Sequence, residues 1–180
     1  INQYLKSPDW KFSDHGNYVS LSSIGGRRVE IYANKPEFED QGAKDIEQVL
    51  ANRRIESIVV VHRGHSYHAA RTIRRIPKIA KIVSLGSCGG YNNIESVLQR
   101  APEAHIISTK GTGTMKVNDP MLKMLNEDIR AGRNIHWPSF WQRAEKNFGR
   151  TPEFLSYVPP HKNLGVLFLK AYRQQTRREE

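Results

Sequence analysis

The sequence predicts an α/β fold, a three-layer α/β/α sandwich built on a mostly parallel sheet. Three observations lead there. Short apolar runs rich in β-branched residues, such as Ile58-Val59-Val60-Val61 and Ile82-Val83-Ser84-Leu85, have the length and composition of buried strands. Segments with apolar residues at helical spacing lie between them. This strand–helix order repeats with short connections, and right-handed crossovers then place the helices on both faces of the sheet.

Taken in order, residues 1–26 are rich in turn formers: Ser7-Pro8-Asp9, Asp14-His15-Gly16-Asn17 and Gly25-Gly26. Tyr18 to Ser22 and Arg28 to Tyr32 are expected to form a hairpin around Ile24-Gly25-Gly26, because paired glycines permit the positive φ of a tight turn. Residues 1–27 therefore read as an N-terminal extension or hairpin, and residues 28–180 as one domain. The chain begins at Ile1 rather than Met, as a processed chain or a segment of a longer protein would.

Val29 to Ala33 reads as a strand, and Ala43, Ile46, Val49 and Leu50 mark a helix over Gly42 to Asn52. Ile58 to Val61 is expected as a strand covered on both faces. A second helix follows through Ala69, Ala70, Ile73 and Ile76, ended by Pro77. Ile82 to Leu85 is the next strand. Asn92 or Asn93 can cap a helix whose inner face is Ile94, Val97 and Leu98. Pro102 lies in the turn before the strand His105 to Ser108. Asp119-Pro120 is expected to open a helix that Gly132 closes. Pro138 starts another, with Phe140, Trp141, Ala144 and Phe148 inward, and Trp137 and Trp141 are expected in the core or at its rim. Leu164 to Tyr172 is apolar but fits strand or helix, and the tail from Arg173 reads as frayed.

The 180 residues carry a formal net charge of +10 and a pI near 9.9. The charge favours solubility and loose attraction to polyanions. The basic residues are dispersed among amphipathic segments, and no nucleic-acid reader motif accompanies them, so specific nucleic-acid binding is not expected. No stretch approaches the roughly 18 consecutive apolar residues of a membrane span. The single cysteine excludes an internal disulfide framework and a multi-cysteine zinc site.

In an open α/β sheet, ligand chemistry sits at the carboxyl ends of the strands. His65 follows one predicted strand and Cys88 the next, so both fall at that edge. A thiol attacks as the thiolate and needs an imidazole, a cation or a helix N-terminus to activate it. Cys88 lies among Gly86, Gly89 and Gly90, just before a predicted helix, where backbone N–H groups could form an oxyanion pocket. His62, His65 and His68 raise a metal question, but the change from strand to helix between them argues against a shared site, and no metal or cofactor is expected. The loop Thr109-Lys110-Gly111-Thr112-Gly113-Thr114 lacks the Gly-Lys-Ser/Thr of a P-loop and reads as a pocket wall or turn. Ile94 stands where a cysteine-phosphate phosphatase would carry Arg.

An apolar strand ending in Gly64-His65-Ser66, then a second ending in Gly86-Ser87-Cys88-Gly89-Gly90, resembles the caspase-like cysteine peptidases of clan CD. The spacing of the two motifs is most similar to separases, gingipains and CHAT-type domains. The resemblance runs over about residues 28–132, strand by strand. It implies a caspase-like sheet and cofactor-free cleavage of a protein or peptide substrate. Cys88 would be the nucleophile, and His65 would protonate the leaving amine. The N–H groups of Ser66 and Cys88 would hold the oxyanion. Ser66 stands where the family usually has glycine. Lys110, Asn118 and Asp119 are candidates for reading the residue before the cut bond, with conflicting signs. Two alternatives are a non-catalytic interaction or scaffold domain of the same fold, and a small-molecule or phosphate-binding α/β domain.

Overall fold

The structure, a computed structural model, describes residues 1–176 and divides into two compact units. The first comprises Ile1–Glu56 with Asp119–Ile135, the second Ser57–Asn118 with His136 onward.

In the first unit a short helix, α1 (Asn2–Leu5), precedes three antiparallel strands: β1 (Trp10–Asp14), β2 (Tyr18–Ser23) and β3 (Glu30–Asn34). The expected hairpin is present, with Ser22 opposite Glu30 and Leu21 opposite Ile31. Gly25 and Gly26 have φ of 74° and 70°, conformations open to glycine at no steric cost. The division expected at residues 27 and 28 falls inside the connection between β2 and β3. Strand β1 was hidden by its turn-rich surroundings. The Val29–Ala33 strand therefore belongs to an antiparallel sheet, not to the parallel one. Helix α2 (Glu39–Asn52) follows β3.

Glu30 in β3 accepts from Arg28 Nε at 2.9 Å and from Arg53 Nη2 at 3.0 Å, with the Tyr32 hydroxyl donating at 2.8 Å. The Arg53 hydrogen bond, opposed by desolvation and aided by Tyr32 and Arg28, pulls its carboxyl pKa from 4.5 down to about 2.

The second unit opens with β4 (Val59–His62), then α3 (Ala69–Arg74), β5 (Ile82–Leu85), α4 (Ile94–Arg100) and β6 (His105–Thr109). Helix α5 (Met115–Arg130) passes the division at Asn118, and α6 (Trp137–Phe148), α7 (Pro152–Leu155), β7 (Tyr157–Val158) and α8 (Leu164–Thr176) complete the chain described. The four-stranded sheet has the order β4-β5-β6-β7, with β4, β5 and β6 parallel and β7 antiparallel to β6. The parallel α/β reading is thus borne out in this unit.

All four residues of β5 are buried, as a central strand requires. Val83, Leu85 and Ile106 face a core completed by Ala69, Ile73 and Ile76, by Val97 and Leu98, and by Val166. On the opposite face, His105 meets the Trp137 ring at 5.8 Å.

Four expectations need correction. Strand β4 is not covered on both faces: it ends the sheet, Val59 to Val61 are half-buried, and Ile58 is 53% exposed. Helix α5 starts at Met115, so Asp119 and Pro120 lie inside it. Its first bonds use the Thr114 carbonyl, from Val117 N at 3.2 Å and Asn118 N at 2.9 Å. Pro120 then forfeits only the bond to the Lys116 carbonyl, in the second turn. Asn93 holds the N-cap position of α4, but its side chain makes no capping bond. Helix α8 continues through Thr176, and Arg173 donates to the Leu98 carbonyl at 2.8 Å; the rest of the expected frayed tail lies outside the described residues.

Ile106→Ala is expected to lower the unfolding free energy by about 2–5 kcal/mol, measured by urea titration, because it opens a cavity in a fully buried core. A carboxylate whose pKa is depressed by folding stabilises above its unfolded value and loses that contribution as pH falls through its folded value. Stability contributed by Glu30 is therefore expected to fade between about pH 4.5 and pH 2. The Glu30→Gln variant, followed by thermal unfolding, should show a flatter acid limb than the parent.

Candidate functional site

The candidate site is built at the carboxyl edge of β4, β5 and β6. Parallel pairing sets His62 opposite Leu85 and Leu85 opposite Ser108. His65 and Cys88 each stand three residues beyond those paired positions, on neighbouring loops. The Gly86 amide closes the pairing by donating to the His62 carbonyl at 2.8 Å.

On the first loop the two nearby histidines have separate environments. His62 is buried, with Nδ1 at 2.9 Å from Thr72 Oγ1 and Nε2 at 3.0 Å from the His65 carbonyl. A carbonyl only accepts, so Nε2 carries a proton. His62 thereby ties the loop to α3. His65 is exposed, and its ring stacks on Tyr67 at 5.2 Å with 9° between planes. Among the three spaced histidines, His65 is the one presented to solvent at the strand end. Ser66 opens a 3-10 turn, Ser66–His68. Arg54 is the sole described non-glycine residue with positive φ, so the Ser66 backbone does not require glycine.

The second loop is held rigidly. Gly86, Ser87 and Gly90 are buried, whereas Cys88 is exposed. The Gly90 amide donates to the Ser87 carbonyl at 3.2 Å, closing a turn with Cys88 at its first corner. Gly89, at the second corner, has φ 62° and ψ 27°, the positive-φ position of a type II pattern. The turn projects the thiol outward while its backbone stays packed.

The third loop, Thr109 to Thr114, expected as a pocket wall or a turn, is bonded to the second. The Gly89 amide donates to the Gly111 carbonyl at 2.9 Å, and Thr109 Oγ1 donates to the Ser87 carbonyl. Gly113 lies so close to Gly86 that a Cβ there would collide with the Gly86 carbonyl. Lys110 donates its amide to the Ser156 carbonyl at 2.9 Å and sets its ammonium 5.1 Å from the centre of the Tyr91 ring.

Asn118, an expected reader of substrate, has another part. It is buried, donates from Nδ2 to the Gly86 carbonyl at 2.9 Å and accepts from the Tyr157 hydroxyl at 2.9 Å. Tyr157 in turn accepts from the Thr114 amide at 3.0 Å. Asp119 offers its backbone carbonyl to the Gln3 side chain.

Two other histidines are displaced from this edge. His105 begins β6, and burial and Lys170 lower its pKa; His161 follows β7, where burial, Lys162 and His136 do the same. Among the described residues no group of three or more His, Cys, Asp or Glu side chains is arranged to hold a metal. No helix of the described residues is long and apolar enough to cross a membrane.

The sequence reading missed Thr109, Asn118 and Tyr157 as supports of the cysteine loop. Asn118 reaches Gly86, 32 residues away in the chain, and Tyr157 reaches Asn118, 39 residues away, only through the fold. No family model, curated protein or solved structure matches this chain.

Gly89→Ala is expected to cost roughly 1–2 kcal/mol, since an L side chain at that φ is crowded by its own backbone. The loss should appear in the thermal midpoint, together with slower alkylation of Cys88 as the turn relaxes.

Proposed function

We propose that the chain is a caspase-like cysteine peptidase, with Cys88 as nucleophile and His65 as its proton-transfer partner. One observation carries the reading. Two adjacent parallel strands in register release these residues at the same edge, at the same distance past their last paired positions. Helical residues against one sheet face and Trp137 against the other support the three-layer arrangement that such an enzyme has.

In this reading the Cys88 thiolate attacks the scissile carbonyl, and the carbonyl electron pair moves onto oxygen. Collapse of that adduct breaks the C–N bond, and His65 delivers the proton to the leaving amine. Water then hydrolyses the thioester and restores the thiol. The Ser66 and Cys88 amides stabilise the charge developing on the oxygen. Neither amide has a hydrogen-bond partner among the described residues. The conformation of Ser66 removes the steric objection to a residue other than glycine beside the histidine.

The test compares iodoacetamide alkylation of Cys88 with that of glutathione at neutral pH. Faster alkylation, reduced at least tenfold in His65→Ala with the fold retained by circular dichroism, supports the dyad. A scaffold domain, or a phosphate-binding domain with an incidental cysteine, would show glutathione-like alkylation and no response to His65→Ala. Hydrolysis of a denatured protein substrate, lost in Cys88→Ala, would extend the result from an activated thiol to a peptidase.

A further inference from the structure

The two amides assigned to the oxyanion belong to the peptide groups His65–Ser66 and Ser87–Cys88. A trans peptide is planar, and its C=O and N–H point in opposite directions. No peptide among the described residues is cis. Whatever holds the carbonyl of each group therefore also aims its N–H.

The His65 carbonyl accepts from His62 Nε2 at 3.0 Å and from the His68 amide at 3.0 Å. His62 is 5% exposed, and its other ring nitrogen is engaged by Thr72. The Ser66 N–H is consequently directed away from the buried imidazole. The Ser87 carbonyl accepts from Thr109 Oγ1, and the same hydroxyl accepts from the Gly90 amide at 3.2 Å. Thr109 is fully buried on β6. The Cys88 N–H is consequently directed away from β6. One hydroxyl bridges the two ends of the turn that carries the thiol, and one imidazole performs the corresponding task on the histidine loop.

We propose that His62 and Thr109 are positioning residues that aim the two oxyanion amides from inside the fold. The assignment rests on the peptidase reading above. Neither side chain touches the reacting atoms; each acts through a carbonyl. Replacing Thr109 by valine keeps the shape and removes the hydroxyl. The Ser87 carbonyl keeps its bond from Gly90, so the turn survives while the orientation of its peptide loosens.

Two reagents separate this role from a merely structural one. With p-nitrophenyl acetate, the Cys88 thiolate attacks the ester carbonyl, a C–S bond forms, and the electron pair passes to the carbonyl oxygen. Collapse breaks the C–O bond and expels p-nitrophenolate. With iodoacetamide, the thiolate displaces iodide at a saturated carbon, and no oxyanion forms. Thr109→Val is expected to slow acylation about tenfold to a hundredfold while alkylation changes less than about twofold. Thr109→Ser should restore acylation. His62→Phe should reproduce the split, and if it fails to fold, the two Thr109 variants decide.

Equal loss in both reactions, or unaltered acylation in Thr109→Val, overturns the positioning role and leaves the dyad standing. Parent protein that reacts no faster than glutathione with both reagents overturns the peptidase reading and this assignment together.

Discussion

The parallel pairing of β4 with β5 is the constraint on which the candidate site depends. A side-chain period of two means that a slip of one residue would turn every side chain to the opposite face. In the observed register, Val60 and His62 share a face with Val83 and Leu85 and border the same core. A slip would expose His62 and break its bonds to Thr72 and to the His65 carbonyl. Burial of ordinary aliphatic residues thus fixes the relative positions of two loops that contain almost none. The connection from hydrophobic pattern to chemistry is direct: the core selects the register, and the register selects which loop residues are neighbours.

The composition of the strands changes along their length in a way that serves the same end. β5 begins Ile82-Val83 and turns polar at Ser84, and in β6 two buried isoleucines follow His105 and give way to Ser108-Thr109. Past their ends lie buried Ser87, Asn118 and Asn163. Buried polar groups stabilise a structure only when they find partners. Thr109 and Asn118 find theirs in the carbonyls of the cysteine loop. The apolar end of the sheet contributes stability, and the polar end contributes a defined loop geometry.

Much of this was legible in the sequence. The β-branched runs identified β4, β5 and β6, and the glycines around Cys88 announced a tight turn. The hairpin of β2 and β3 followed from Gly25-Gly26. What could not be read was long-range or contrary to local preference. Trp10 to Asp14 has a short alternation obscured by neighbouring turn formers. The start of α5 precedes Pro120 because the Thr114 carbonyl offers an earlier anchor. His62 resembled His65 in sequence, and only its burial and two ring contacts separate a structural imidazole from an exposed one. The support from Asn118 and Tyr157 requires residues that no local pattern connects.

Strand β4 has one hydrogen-bonded neighbour in its sheet, and that has a consequence for how the site fails. Local opening costs less than global unfolding where backbone is paired on one side and side chains are half-buried. The strand that carries the histidine thus has less to hold it than the strand that carries the cysteine, whose four residues are all buried. Thermal or chemical stress would release the loop that carries His65 while the central sheet, and the loop that carries Cys88, remained folded. Amide exchange would register this as early loss of protection in β4 against late loss in β5. The candidate site therefore has a stability of its own, set at the sheet's margin and lower than that of the domain that displays it.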